Sequence, residues 1–148
     1  MPSIALETGL RATVSFRVDS THLASEIGSG DTHVLATPML AAGMEAAAVK
    51  AVASALEPGL TTVGAHLDIY HRVASAPGMT VTFEAVLEKI SPNGRGLEFR
   101  VHAWDEGGDI GHGKHERVIV NRENFERQAQ ARAAGLPAKS QKRDQARI

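Results

Sequence analysis

The 148-residue chain has no cysteine. That excludes disulfides, thiolate nucleophiles and cysteine-held zinc or iron–sulfur centres, and it suits a reducing compartment. It also lacks an excess of either charge: 16 Lys and Arg face 17 Asp and Glu, for a formal net charge of −1. Neither nucleic acid nor an anionic membrane surface is therefore an expected partner. No apolar run approaches the roughly 20 residues of a membrane span. The opening "MPSIALETGLRATVSF" has no basic region followed by an apolar stretch, so it does not read as a signal peptide. The expected location is the cytoplasm. No GxSxG or dinucleotide fingerprint occurs, and Gly107-Gly108 reads as a hairpin turn because no helix follows it.

What is present is enough for one globular core: 43% of residues are hydrophobic and 22% charged, in a chain of single-domain length. The expected division is one domain over residues 1–134 and a polar, basic, flexible tail over 135–148. "LRATVSFRV" (Leu10–Val18) carries the β-branched and aromatic residues of a first strand. Polar "DSTHLASEIGSGDTHVLA" reads as an irregular connection. Thr37-Pro38 then opens a helix, with Thr37 as its N-cap. Leu40, Met44, Ala48, Val52 and Leu56 give that helix an apolar stripe, and "EPG" ends it about 19 residues on, some 28 Å away.

Four strands follow. In "TTVGAHLDIYHRV", Val63, Ala65, Leu67, Ile69 and Val73 share one parity. "MTVTFEAVLEKI" and "GLEFRVHAWD" alternate likewise, and "DIGHGKHERVIVN" is the last. Asn93-Gly94 and Gly107-Gly108 are hairpin chemistry, so the last three strands should form an antiparallel meander. A short helix is expected from Arg122 to about Ala134. One helix cannot cover both faces of a sheet. The simplest packing is therefore an α+β fold in which an antiparallel sheet curls around one long helix, the hot-dog arrangement, with uncovered edges that favour a homodimer.

Three residues stand out as chemistry. Glu45 is a carboxylate in an otherwise apolar helix, with Ala41, Ala42, Ala48 and Val49 where a basic partner would sit. It is either solvated on an exposed face or held toward a cleft by donors from another element. His71 has the parity of the apolar set and should point inward. It is either a satisfied structural imidazole or, oriented by Glu45, an acid–base catalyst. Thr37 sits at the helix start, where backbone donors and the dipole favour an oxyanion. Eight residues separate it from Glu45, about 12 Å along a helix, so the two reach one carbonyl only through a distorted first turn or across a dimer interface. His112 and His115 fall on opposite faces of a strand and make a poor metal pair.

With these residues in view, "ATPMLAAGMEAAA", "LEPGLTTVGAHLDIYH", "APGMTVTFEAVL" and "DIGHGKHERVIV" followed by Phe125 make the chain resemble the fluoroacetyl-CoA thioesterase family of hot-dog proteins over about residues 9–126. The resemblance implies that Thr37, Glu45 and His71 are catalytic and that Gly64 and Arg117 contact substrate. It further implies a homodimeric acyl-CoA hydrolase with neither metal nor redox cofactor. Arg117 has an ordinary reading too, as an ion partner on the sheet surface. In the fluoroacetate-specific enzyme, a longer segment before the threonine carries phenylalanines that form a lid. His22–Ala36 carries none here, so the resemblance extends to the reaction class and not to the acyl group. A hot-dog hydratase or dehydratase on acyl thioesters, and a non-catalytic acyl-CoA or small-molecule binding module, are the other readings of the same residues.

Overall fold

The computed structural model describes residues 2–135. The expectation of a flexible tail falls almost entirely on residues outside that range. The elements run β1 (Arg11–Arg17), a short helix α1 (Ala24–Ile27), α2 (Thr37–Val52), β2 (Leu60–His71), β3 (Thr80–Ile90), β4 (Gly96–Asp105), β5 (Gly108–Asn121) and α3 (Arg122–Ala133). All five strands join one antiparallel sheet in the order β1-β3-β4-β5-β2. β3, β4 and β5 form the expected meander, turned by Gly94 and Gly108 at φ of +79° and +125°, angles that glycine adopts without strain.

The alternating residues of the meander become the core. Val81, Phe83, Ala85 and Leu87 of β3, and Leu97, Phe99, Val101 and Ala103 of β4, are all buried. They meet Leu40, Met44, Ala48 and Val52 from α2. Each large side chain so buried contributes about 1.5–3 kcal/mol. Gly43 sets the approach distance, since a Cβ there would lie 2.4–2.5 Å from three ring atoms of Phe83. The helix packs chiefly on β1 and β3 and more lightly on β2 and β4. Ala42, Ala46 and Val49 are consequently left exposed along one flank of α2.

Three expectations need correction. Thr37 is not the cap of α2. Ala36 is, and it has no side chain to cap with; its carbonyl takes the Met39 and Leu40 amides at 2.9 and 3.1 Å. The helix is α over 16 residues and ends in a 3₁₀ turn, Ala53–Ala55, which leaves Leu56 outside. The connection after β1 is more ordered than its composition suggests. It holds a 3₁₀ turn, Ser20–His22, and α1, and a Leu23–Leu35 bridge closes its base.

The parity of β2 is corrected as well. The strand carries a bulge: Gly64 pairs with Arg117 and His66 with Glu116, which leaves Ala65 without a partner. Thr62 and Gly64, opposite inward Ile119 and Arg117, face the helix before the bulge. Leu67, Ile69 and His71 face it after the bulge. Val63 pairs with Val118 on the outer face. One extra residue therefore puts even and odd positions of the same strand on one side.

Candidate active site

The inner face of β2 and β5, beside α2, holds two clusters. At the far end of β2, the Thr37 hydroxyl lies 2.8 Å from His71 Nδ1. Because the backbone caps α2 through Ala36, the Thr37 side chain is free to turn toward the strand. Burial pushes the His71 imidazole below its ordinary value, and a contact to the Val73 backbone opposes the shift. A neutral ring with an unprotonated Nδ1 accepts the Thr37 O–H, and its Nε2–H is then buried without a hydrogen-bond partner among the described residues. The pair opens on a cleft of about 270 Å³ lined also by Ala24, Ser29, Gly30, Thr32 and Val34. No Phe, Tyr or Trp is among the described residues of that lining.

The second cluster surrounds Glu45. Its Oε2 lies 3.7 Å from Arg117 Nη1 and 3.9 Å from His115 Nε2. Gly64 makes room for it, since a Cβ there would sit 2.7 Å from that oxygen. Arg117 donates from Nε to Thr62 Oγ1 at 2.8 Å, from Nη2 to the Thr62 carbonyl at 2.9 Å and from Nη1 to His115 Nε2 at 3.1 Å. Burial works against its charge and the Glu45 carboxylate supports it, burial being the larger effect. His115 is fully buried, and its Nδ1 lies 2.9 Å from the His66 carbonyl. An imidazole that meets a carbonyl at Nδ1 and a guanidinium donor at Nε2 is neutral with the proton on Nδ1. Burial, chiefly, holds His115 below its ordinary value.

The expected pairing of Glu45 with His71 is not found within one chain. His71 binds Thr37, and Glu45 stands with Arg117, His115 and Gly64. Gly64 and His71 are seven positions apart along the strand, roughly 20 Å at the usual rise, which is why Glu45 meets one end of the inner face and His71 the other. Arg117 is not a surface ion partner either: its register with Gly64 turns it inward and it is only 7% exposed. Sequence reasoning missed His115 and Thr62. The signal for His115 was its parity with Gly111 and Gly113, small residues on the close-packed face, and with Arg117. Among the described residues, no group of three or more His, Asp or Glu could hold a metal ion, and no helix is long and apolar enough to cross a membrane.

A five-stranded antiparallel sheet wrapped on one long helix is the hot-dog architecture, and here a Thr–His pair stands at the helix start. A hot-dog-like protein from Thermanaerovibrio acidaminovorans shares the fold at a TM-score of 0.75, with 20% identity over 84% of this chain and 91% of that one. The particular lineage follows from the sequence: residues 18–123 match the model of the fluoroacetyl-CoA-specific thioesterase family, and the chain belongs to that family. It is 41% identical over 92 residues to the fluoroacetyl-CoA thioesterase of Streptantibioticus cattleyicolor, a match spanning 62% of this chain and 65% of that enzyme. It is similar to a variant of the fluoroacetyl-CoA-specific thioesterase FlK solved with fluoroacetate and CoA: 34% identity, TM-score 0.75, over 81% of this chain and 99% of that one. A Thermus thermophilus thioesterase superfamily member is 29% identical at a TM-score of 0.77, over 87% of this chain and 96% of that one.

Proposed function

We propose that the protein hydrolyses acyl-CoA thioesters to a carboxylic acid and CoA, as a homodimer and without a cofactor. The observation that carries this is the 2.8 Å contact between Thr37 Oγ1 and His71 Nδ1 at the wall of a cleft. The attacking oxygen is that of Thr37 or of a water held on it. As it bonds to the acyl carbon, its proton passes to Nδ1 of His71, and the C–S bond then breaks as His71 returns that proton to the departing thiolate. Where Thr37 is the attacking group, a water that gives its proton to His71 then adds to the acyl ester, and the C–O bond breaks to release the acid as the proton returns to the Thr37 oxygen. Burial keeps His71 neutral and ready to accept. Pro38 has no N–H and the Met39 and Leu40 amides are taken by Ala36, so the donor left for the oxyanion at this helix end is the Thr37 amide.

Glu45, Gly64 and Arg117 enter through the second copy. β2 is an edge strand of 12 residues with one side unpaired, and Leu67 at its middle is 37% exposed. Antiparallel pairing of two such edges about a two-fold axis at Asp68, with Ala65 skipped at the bulge, sets His71 of one copy opposite Gly64 of the other. That register covers Leu67 and the exposed flank of α2, and it carries the Glu45–Arg117 cluster of one copy toward the buried, partnerless Nε2 of the other copy's His71. Fluoroacetyl-CoA, named for the relatives, is one possible substrate. With no aromatic cover between His22 and Ala36, the cleft is open to water and suits acyl groups beyond two carbons.

The test is thiol release from acetyl-, fluoroacetyl-, longer aliphatic and aryl-CoA by wild type and His71→Ala. Hydrolysis of any member that collapses in the variant supports the reading and names the acyl class. A folded dimer that releases no thiol, but hydrates an enoyl thioester or merely binds CoA esters, overturns it.

A further inference from the structure

Arg117 and Glu45 are opposite charges in a partly dry site, yet they do not close on each other. A guanidinium beside a carboxylate normally forms two parallel hydrogen bonds under 3 Å, whereas Nη1 and Oε2 are 3.7 Å apart. The reason is on the other side of the guanidinium. Three of its five N–H groups are already taken: two by the hydroxyl and carbonyl of Thr62, and one by His115 Nε2 at 3.1 Å. The His115 ring cannot drift, because it is fully buried and its other nitrogen is tied to the His66 carbonyl at 2.9 Å.

We infer that His115 is a positioning residue: as a neutral acceptor it holds the Arg117 guanidinium off Glu45 and so keeps the carboxylate oxygens free to act in the site. The Glu45 side chain remains 39% exposed while that of Arg117 is 8% exposed. The carboxylate thus faces outward and the cation stands behind it. Without the His115 anchor, Nη1 swings the ångström or so needed to clamp Oε2, and the carboxylate becomes a closed ion pair. A misplacement of that size costs on the order of 10–100-fold in rate. The role of Glu45 in this inference rests on the thioesterase reading above.

The experiment compares His115→Leu, which keeps bulk without an acceptor, and His115→Gln, whose amide oxygen can accept from Arg117. Each is made alone and in an Arg117→Met background, with kcat, KM and Tm recorded on an acyl-CoA that the wild type hydrolyses. Expected are a kcat reduced roughly 10-fold or more in His115→Leu with KM within about 2-fold, recovery in His115→Gln, and no further loss when His115→Leu is added to Arg117→Met. Equal losses in the Leu and Gln variants, or losses that multiply in the Arg117→Met background, make His115 a packing residue only. A separate arm needs no turnover: ¹⁵N spectra of the ring near neutral pH. A neutral His115 protonated at Nδ1, with an Arg117 Nε–H that is slow to exchange in wild type and His115→Gln but not in His115→Leu, supports the inference. A ring protonated at Nε2 overturns it, whether or not the protein proves to be a thioesterase.

Discussion

The Thr37 hydroxyl and His71 Nδ1 lie 2.8 Å apart across 34 residues of chain, the hydroxyl from the first turn of a helix and the imidazole from the last residue of a strand. If proton transfer between them is one step, then removing either partner removes that step. Thr37→Ala and His71→Ala should each lower kcat by roughly 10²–10⁴-fold, and the double variant should be no worse than His71→Ala alone. Thiol-release kinetics on the three proteins checks this, and losses that multiply would separate the two residues.

Acid should affect activity and stability in the same direction. His71 and His115 are both held below their ordinary value of 6.5, burial being the first cause in each. Below about pH 6.5 the unfolded chain therefore binds protons that the folded chain refuses, and stability falls with falling pH until the folded values are reached. The acid limb of kcat/KM should lie below the ordinary histidine range, since His71 must be neutral to accept. Melting curves and pH–rate profiles between about pH 5 and 8 test both; a Tm that rises on acidification contradicts the assignment.

Gly64→Ala should cost activity far more than stability. The new Cβ would stand 2.7 Å from Glu45 Oε2 and 3.4 Å from Arg117 Nη1. The first of these is the tip of a flexible side chain, which moves aside for less than about 1 kcal/mol. A Tm within a few degrees of wild type, with kcat down by about 10-fold or more, is the expected result.

Gly43→Ala should do the reverse. Its Cβ would lie 2.4–2.5 Å from the Phe83 ring, which is itself fully buried, so helix and sheet must separate. Overpacking of this kind costs about 1–3 kcal/mol or more. Denaturant unfolding reads it, and the fraction that remains folded should keep the Thr37–His71 chemistry.

Leu67→Glu tests the second copy. A charge at the middle of the open β2 edge should yield monomers by sedimentation or light scattering. Turnover should fall although Thr37 and His71 remain together. A monomer as active as wild type would place the whole site in one chain.

The strands, the long helix and the meander were legible because alternation and four-residue spacing survive in the sequence. Val81, Phe83, Ala85 and Leu87 repeat every second residue and are buried together. The need of Glu45 for donors from another element was legible from its apolar surroundings, and Arg117 and His115 stand beside it. The pairing of groups was not. Whether His71 meets Glu45 or Thr37 depends on where α2 lies along β2, a tertiary offset that no local pattern encodes. Thr37 misled because threonine before proline is good capping chemistry, yet the Ala36 backbone does that work and frees the hydroxyl. His115 was weighed only as half of a metal pair with His112, whose outward position says nothing about the inward one.

The bulge at Ala65 makes β2 a strand whose alternation slips by half a period partway along. Thr62 and Gly64 serve one cluster from even positions, and His71 serves the other from an odd one. The same residues paired as a regular strand, with no bulge, would have to choose: with one phase His71 turns to solvent, with the other Gly64 and Thr62 do. At this length of strand, the bulge between Gly64 and His66 is therefore what holds the two clusters on one face. Substitutions there change the lining of the sheet, whereas regular pairing of the same residues without the bulge would leave the fold intact and divide the chemistry between its two sides.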